Sequence, residues 1–129
     1  MASQDLEDSH HLTGRRRFRR LRGDPEVFAL TEAVAAERHV SMTALLHPSR
    51  GSSAAAGARQ LAMCLAHVLL QRPQDAVARL FGRDRTTVAH ACRAVEDRRD
   101  EPELEAEIAR IEARLARRAG ILLELKHAA

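Results

Sequence analysis

The sequence predicts an all-α protein: a compact helical domain of about five to six helices that contains a helix-turn-helix. Three observations carry that reading. Aromatic residues make up 2% of the chain, three Phe with no Trp or Tyr, so the core must come from Leu, Val, Ile, Met and Ala. Ala and Leu are strong helix formers, and the runs of β-branched residues that would favour strands are missing. Pro, Gly, Ser and Asp recur at the spacings that begin and end short helices. A chain of 129 residues, 45% of them hydrophobic, suits one small domain with flanking segments.

Residues 1–23 read as a disordered arm. Met1 to Gly14 is polar and mixed in charge, and Arg15 to Arg22 then places six Arg in eight residues, which resist packing against one another. Such an arm either tracks phosphates and enters a minor groove or is a solubilising leader. Residues 24–98 form the domain. Asp24-Pro25 starts its first helix, with Asp as N-cap and Pro at the first helical position. Val27, Leu30 and Val34 give that helix one apolar face, to about His39. Ser41 caps a short helix from Met42 to Leu46, whose Leu45-Leu46 pair plugs the core. His47 to Gly57, which holds Pro48 and Gly51, reads as a loop. The next helix runs from about Ala54 or Ala58 to Gln71 and is lined by Leu61, Leu65 and Val68.

A compact helix pair follows. Pro73 opens a short helix to Phe81, with Val77, Leu80 and Phe81 facing in, and Gly82 supplies the positive φ that ends it. Asp84 is placed to cap a helix from Arg85 to about Arg98, whose buried stripe is Val88, Cys92 and Val95. Two short helices joined by a tight Gly-containing turn form a helix-turn-helix. Its second helix exposes Arg85, Thr86, Thr87 and His90 near its start, where a recognition helix meets base edges in the major groove. Residues 99–129 hold a last helix, Glu103 to about His127. Leu104, Ile108, Ile111, Leu115, Leu122 and Leu125 alternate spacings of 4 and 3 along it, broken at Arg118 and weakened at Gly120. Those defects favour a helix folded onto its own domain over the alternative, a coiled-coil homodimer seam.

Charge narrows the partner. Lys126 is the sole lysine among 21 basic residues, the net charge is +3 and the pI is about 9.6. A polyanion fits that balance, and Arg is the side chain best shaped for bidentate contact with phosphate or guanine. Other classes drop out. Leu61 to Leu70 is too short to span a membrane, and no apolar segment follows the arginines as a secretory signal requires. Cys64 and Cys92 lack metal-ligand or disulfide-framework spacing and read as small core residues. His10-His11 has no companion ligand, and the sole lysine has no Gly-rich loop. No nucleophile–base pair stands out, so the expectation is no catalytic site, no cofactor and no metal.

The stretch Ala58-Arg59-Gln60-Leu61-Ala62-Met63-Cys64-Leu65-Ala66, followed by Phe81-Gly82-Arg83-Asp84-Arg85-Thr86-Thr87-Val88-Ala89-His90-Ala91-Cys92-Arg93, resembles the C-terminal DNA-binding domain of the bacterial replication initiator DnaA. That family carries an ARQ-(I/M)-A-M helix and, some two dozen residues later, a GRDHTTV-x-HA signature. The resemblance covers about residues 25–98, and no segment corresponds to the family's ATPase module. It implies that Asp84, Thr86 and Thr87 address bases from the start of the recognition helix, with Thr methyls suited to thymine methyls. Arg59 and Gln60 would anchor the DNA backbone, which fixes register without reading sequence. Arg83, beside the turn, would contact a phosphate or support the motif internally. Arg50 roughly occupies the place of the family's minor-groove arginine.

Three departures bear on specificity. Arg85 stands where the signature has His, bringing a permanent charge and five donors that favour guanine or a phosphate. One of the family's two turn glycines is missing before Arg83, which should tighten or reorient the turn. His67 replaces a basic residue near the end of the ARQ helix, and with His90 it completes the expected backbone contacts. The reading is a sequence-specific protein that binds double-stranded DNA at DnaA-box-like sites and regulates replication initiation or transcription, in the cytoplasm at the nucleoid. The alternative is a protein-interaction regulator of the initiator, or of its regulators, that retains the fold with weakened DNA recognition.

Overall fold

The computed structural model describes residues 15–48 and 51–128. It is all-α: among the described residues there are seven helices and no strand. They are α1 (15–22), α2 (Pro25–Arg38), α3 (Met42–Leu46), α4 (Ser53–Val68), α5 (Gln74–Phe81), α6 (Arg85–Glu96) and α7 (Pro102–Ala128). The central helix is α4, which packs on α2, α3, α5 and α6. Nine of its residues are buried, from Ala55 to Ala66, and small alanines let the neighbouring helices approach closely.

Capping residues set most boundaries. The Asp24 carboxylate accepts from the Val27 amide at 3.3 Å, with Pro25 opening α2. Ser41 Oγ accepts from the Ala44 amide at 3.1 Å to start α3, and Ser52 Oγ caps α4 through Ala55 at the same distance. At the end of α2, His39 adopts φ 54, and the amides of His39 and Val40 return to the carbonyls of Ala36 and Ala35. The central helix stops at Val68, short of the expected Gln71, because the chain turns there and Gln71 itself takes φ 58. Arg72 fixes this loop: its guanidinium donates to Asp24 at 2.8 Å and to the Leu70 carbonyl at 2.7 Å. The Arg72 hydrogen bond, more than any other contact, holds the Asp24 carboxyl below its ordinary range.

One expectation is corrected. Residues 15–22 of the supposed disordered arm form helix α1, while residues 1–14, with His10 and His11, lie outside the described residues. The physical reason is that the two apolar residues, Phe18 and Leu21, fall three apart on one helical face, so that Leu21 enters the core and Phe18 packs against it. Leu21 is fully buried, and Phe18 meets Phe28 of α2 with ring centroids 6.3 Å apart. Like-charge repulsion is eased by electron-rich neighbours: Arg22 lies 5.5 Å from the Phe28 ring, and Arg17 donates to backbone carbonyls.

The last helix folds onto its own domain over its first half. Leu104, Ile108 and Ile111 are buried, and arginine–carboxylate pairs run along α2. Arg38 makes a bidentate pair with Glu107, Arg110 and Arg114 both hold Glu37, and Arg118 reaches Glu32. Partners descend in α2 as they ascend in α7, so the two helices are antiparallel. Past Leu115 the helix continues exposed through Gly120, and Ile121, Leu122, Leu123 and Leu125 are each more than half accessible. No helix among the described residues is long and apolar enough to cross a membrane.

Candidate nucleic-acid interface

The unit that presents the candidate site is α5–turn–α6. Gly82 ends α5 in the left-handed region at φ 63, where a residue with a Cβ is strained. Its amide returns to the Arg79 carbonyl at 3.3 Å, and the Arg83 amide returns to Ala78 at 2.9 Å, closing the paired hydrogen bonds of a Schellman turn. This one glycine suffices, since Arg83 carries no positive φ. Asp84 then takes the extended backbone of an N-cap, φ −75 and ψ 151, and α6 begins at Arg85.

The buried stripe of α6 is Val88, Ala91, Cys92 and Val95, packed against α4. It contains the expected three residues and adds Ala91. Cys64 of α4 and Cys92 of α6 meet in this interface, and burial, with Cys92 beside it, pushes the Cys64 thiol up to about 12. Anchoring that stripe turns the opposite face outward. Asp84, Arg85, Thr86, Thr87 and His90 are all exposed, and the Asp84 side chain makes no capping hydrogen bond to its own helix. Thr86 and His90 are one turn apart, and Arg93, also exposed, continues the row. Sequence reasoning missed Arg93, although the spacing 86–90–93 opposite the buried stripe marks it.

The expected backbone contacts are distributed differently. Arg59 is 6% exposed and donates to the Leu45 carbonyl at 3.0 Å, so it is not a solvated hook on the surface of α4. Burial, with Arg83 and Arg17 nearby, pushes its pKa down to about 10. Arg83 donates to the His47 carbonyl at 2.8 Å, while its buried Nε finds no partner among the described residues. Arg17 of α1 donates to the carbonyls of Leu46 and Gly82, at 3.4 and 3.2 Å. Three arginines therefore satisfy three successive carbonyls, Leu45, Leu46 and His47, at the C-terminal end of α3, where a helix leaves acceptors open and favours cations. Arg83 thus ties the turn to the end of α3. The part played by Arg17 is not readable from sequence, because the contact spans 65 residues to Gly82.

Two other expected residues stand apart from the row. Gln60 is exposed but borders a hollow with Ala94, Val95 and Arg98, beside the C-terminal half of α6. His67 is half-buried, and its Nδ1 donates to the Arg72 carbonyl at 2.8 Å, tying the end of α4 to the α4–α5 loop. Arg50 lies outside the described residues.

The arginines divide by partner. Arg38, Arg72, Arg98, Arg99, Arg110, Arg114 and Arg118 are each paired with a carboxylate. Arg15, Arg16, Arg17, Arg19, Arg20 and Arg22 of α1, Arg79 of α5, Arg83, Arg85 and Arg93 at the turn and on α6, and Arg117 of α7 make no ion pair with a carboxylate among the described residues. Most of the neutralised arginines lie along α2, α7 and the α6–α7 junction, and, apart from Arg117 on α7, the unpaired ones lie on α1, α5, the turn and α6.

An all-α domain that presents a short, polar, positively flanked second helix from a tight turn is a DNA-binding helix-turn-helix domain. The chain belongs to the bacterial DnaA protein helix-turn-helix family, whose sequence model matches residues 28–95. No curated protein matches the chain.

Proposed function

We propose that the protein reads DnaA-box-like double-stranded sites and so regulates replication initiation or transcription at the nucleoid. The observation that carries this reading is the exposed row Asp84-Arg85-Thr86-Thr87, set at the start of a helix whose other face is buried against α4. Thr86 and Thr87 offer methyls and hydroxyls to base edges, Asp84 accepts from exocyclic amines, and Arg85 donates to guanine or to a phosphate. His90 flanks the row as a backbone contact, Arg83 braces the turn from within, and Gln60 reaches a phosphate at the far end of α6. Membership of the DnaA helix-turn-helix family supports DNA binding, and the site residues extend that to a box-like sequence.

The test is binding to a labelled duplex carrying an initiator box against a scrambled duplex, across a salt series. Good base contacts are each worth about 1–3 kcal/mol. A chain with Asp84→Ala, Thr86→Ala and Thr87→Ala should therefore lose its box preference about tenfold or more while keeping salt-sensitive binding to any duplex. Box preference that survives the triple change would sink the assignment. A second reading, regulation through protein contact with the initiator or as a homodimer, is favoured by the exposed leucines at 122, 123 and 125. Biological activity that survives the triple change and disappears when those leucines become Gln would favour it.

A further inference from the structure

We infer that helix α1 is a second DNA-backbone contact, docked beside the helix-turn-helix so that its exposed arginines extend the phosphate-binding surface past the residues the family match covers. Docking is the first observation. Arg17 donates to the Gly82 carbonyl, and its side chain packs so closely that a Cβ on Gly82 would stand 2.9 Å from Nε. Gly82 is two residues before the N-cap of α6, so α1 lies at the flank from which α6 presents its row. Leu21 in the core and Phe18 on Phe28 hold α1 there as part of the domain.

The second observation is what α1 leaves outside. Arg15, Arg16, Arg19 and Arg20 are exposed, and none is paired with a carboxylate among the described residues, whereas Arg38 of α2 and Arg110, Arg114 and Arg118 of α7 are. Four cations on two turns of helix repel one another and gain most from a polyanion with regularly spaced charges. The apolar side of α1 is already buried, which leaves no amphipathic face to enter a lipid surface. A duplex seated on α6 brings phosphates to the same flank. The inference rests on the reading that α6 enters DNA, and it adds to that reading an element outside residues 28–95.

The experiment compares the full chain with a variant carrying Arg15→Gln, Arg16→Gln, Arg19→Gln and Arg20→Gln. Gln keeps helix propensity, and Arg17, Phe18 and Leu21 remain to dock α1. Helicity and melting temperature, measured on both proteins, check that docking persists. Each phosphate contact contributes about 0.9 to the slope of log affinity against log salt. The variant's slope should fall by roughly two to four such steps, its affinity should drop on box and scrambled duplexes alike, and box preference should stay. Backbone protection from hydroxyl radicals should also shrink on one side of the box. An unchanged slope and footprint in a folded variant would overturn the inference while leaving box reading intact. Conversely, box preference that survives the Asp84, Thr86, Thr87 change, with the slope still flattened by the α1 substitutions, would sink base reading by that row and uphold the α1 contact. Tighter binding of the unaltered chain to anionic lipid vesicles than to duplex, at equal salt, would also overturn it.

Discussion

At Gly82 two demands meet. The backbone is in the left-handed region, where an L-residue is strained by about 1–2 kcal/mol, and the space a Cβ would take is filled by Arg17. Gly82→Ala should therefore destabilise the fold by about that strain plus the cost of displacing the guanidinium, read as a lower urea midpoint at unchanged slope. Made again in an Arg17→Ala background, the substitution should cost less, because only backbone strain remains. Equal costs in the two backgrounds would mean that Arg17 does not pack on the turn. The glycine itself is legible in the sequence, from its place between Phe81 and Asp84. The arginine against it is not, since nothing local to Arg17 announces a carbonyl 65 residues away. Arg59 illustrates the same limit. Its place in the ARQ stretch predicts a backbone anchor, yet the α3 carbonyls it satisfies are fixed only once α3 and α4 are packed together.

At the scale of elements, α7 changes character partway along. Residues 102–118 are tied to α2 by buried Leu104, Ile108 and Ile111 and by four arginine–carboxylate partnerships, while residues 119–128 are exposed and, among the described residues, make no ion pair. Gly120 sits in that second part with nothing within 4 Å of where a Cβ would be. Gly120→Ala should add about 0.5–1 kcal/mol of helix propensity there. Amide exchange over 119–128 should slow severalfold, while the global unfolding midpoint moves little, because exposed helix ends open locally. No change in exchange would show that this end is held by something other than its own hydrogen bonds. Helices α2, α3, α5 and α7 are legible because each begins or ends on a residue with a strong positional preference, Asp24-Pro25, Ser41, Pro73, Gly82 and Pro102, whereas the Ser52 cap that starts α4 at Ser53 reads in the sequence as part of a loop. Helix α1 was not legible. Six charges outvote two apolar residues in any local count, and only burial of Leu21 in the core, with Phe18 packed against it, reverses the result.

Across the whole molecule, the separation of paired from uncompensated arginines gives the domain two sides with different responses to salt. On the α2–α7 side, Arg110 and Arg114 share Glu37, whose carboxyl they hold below its ordinary range, Arg114 most strongly. These pairs are partly exposed, so each contributes on the order of 0–1 kcal/mol, and that contribution weakens as salt rises. On the α1–α6 side, salt acts instead through competition for the bound polyanion. Replacing Arg110 and Arg114 by Gln removes two positive charges, the same net change as replacing two of the α1 arginines. If net charge alone governed DNA binding, the two variants would bind alike. If position governs it, the Arg110→Gln, Arg114→Gln chain should keep the affinity and salt slope of the unaltered protein and show only a small fall in unfolding midpoint. Parallel salt titrations decide between them. A slope that flattens as much in this variant as in an α1 variant would mean that the protein meets DNA as a diffuse cation, and the arrangement around Gly82 would not direct where the duplex lies.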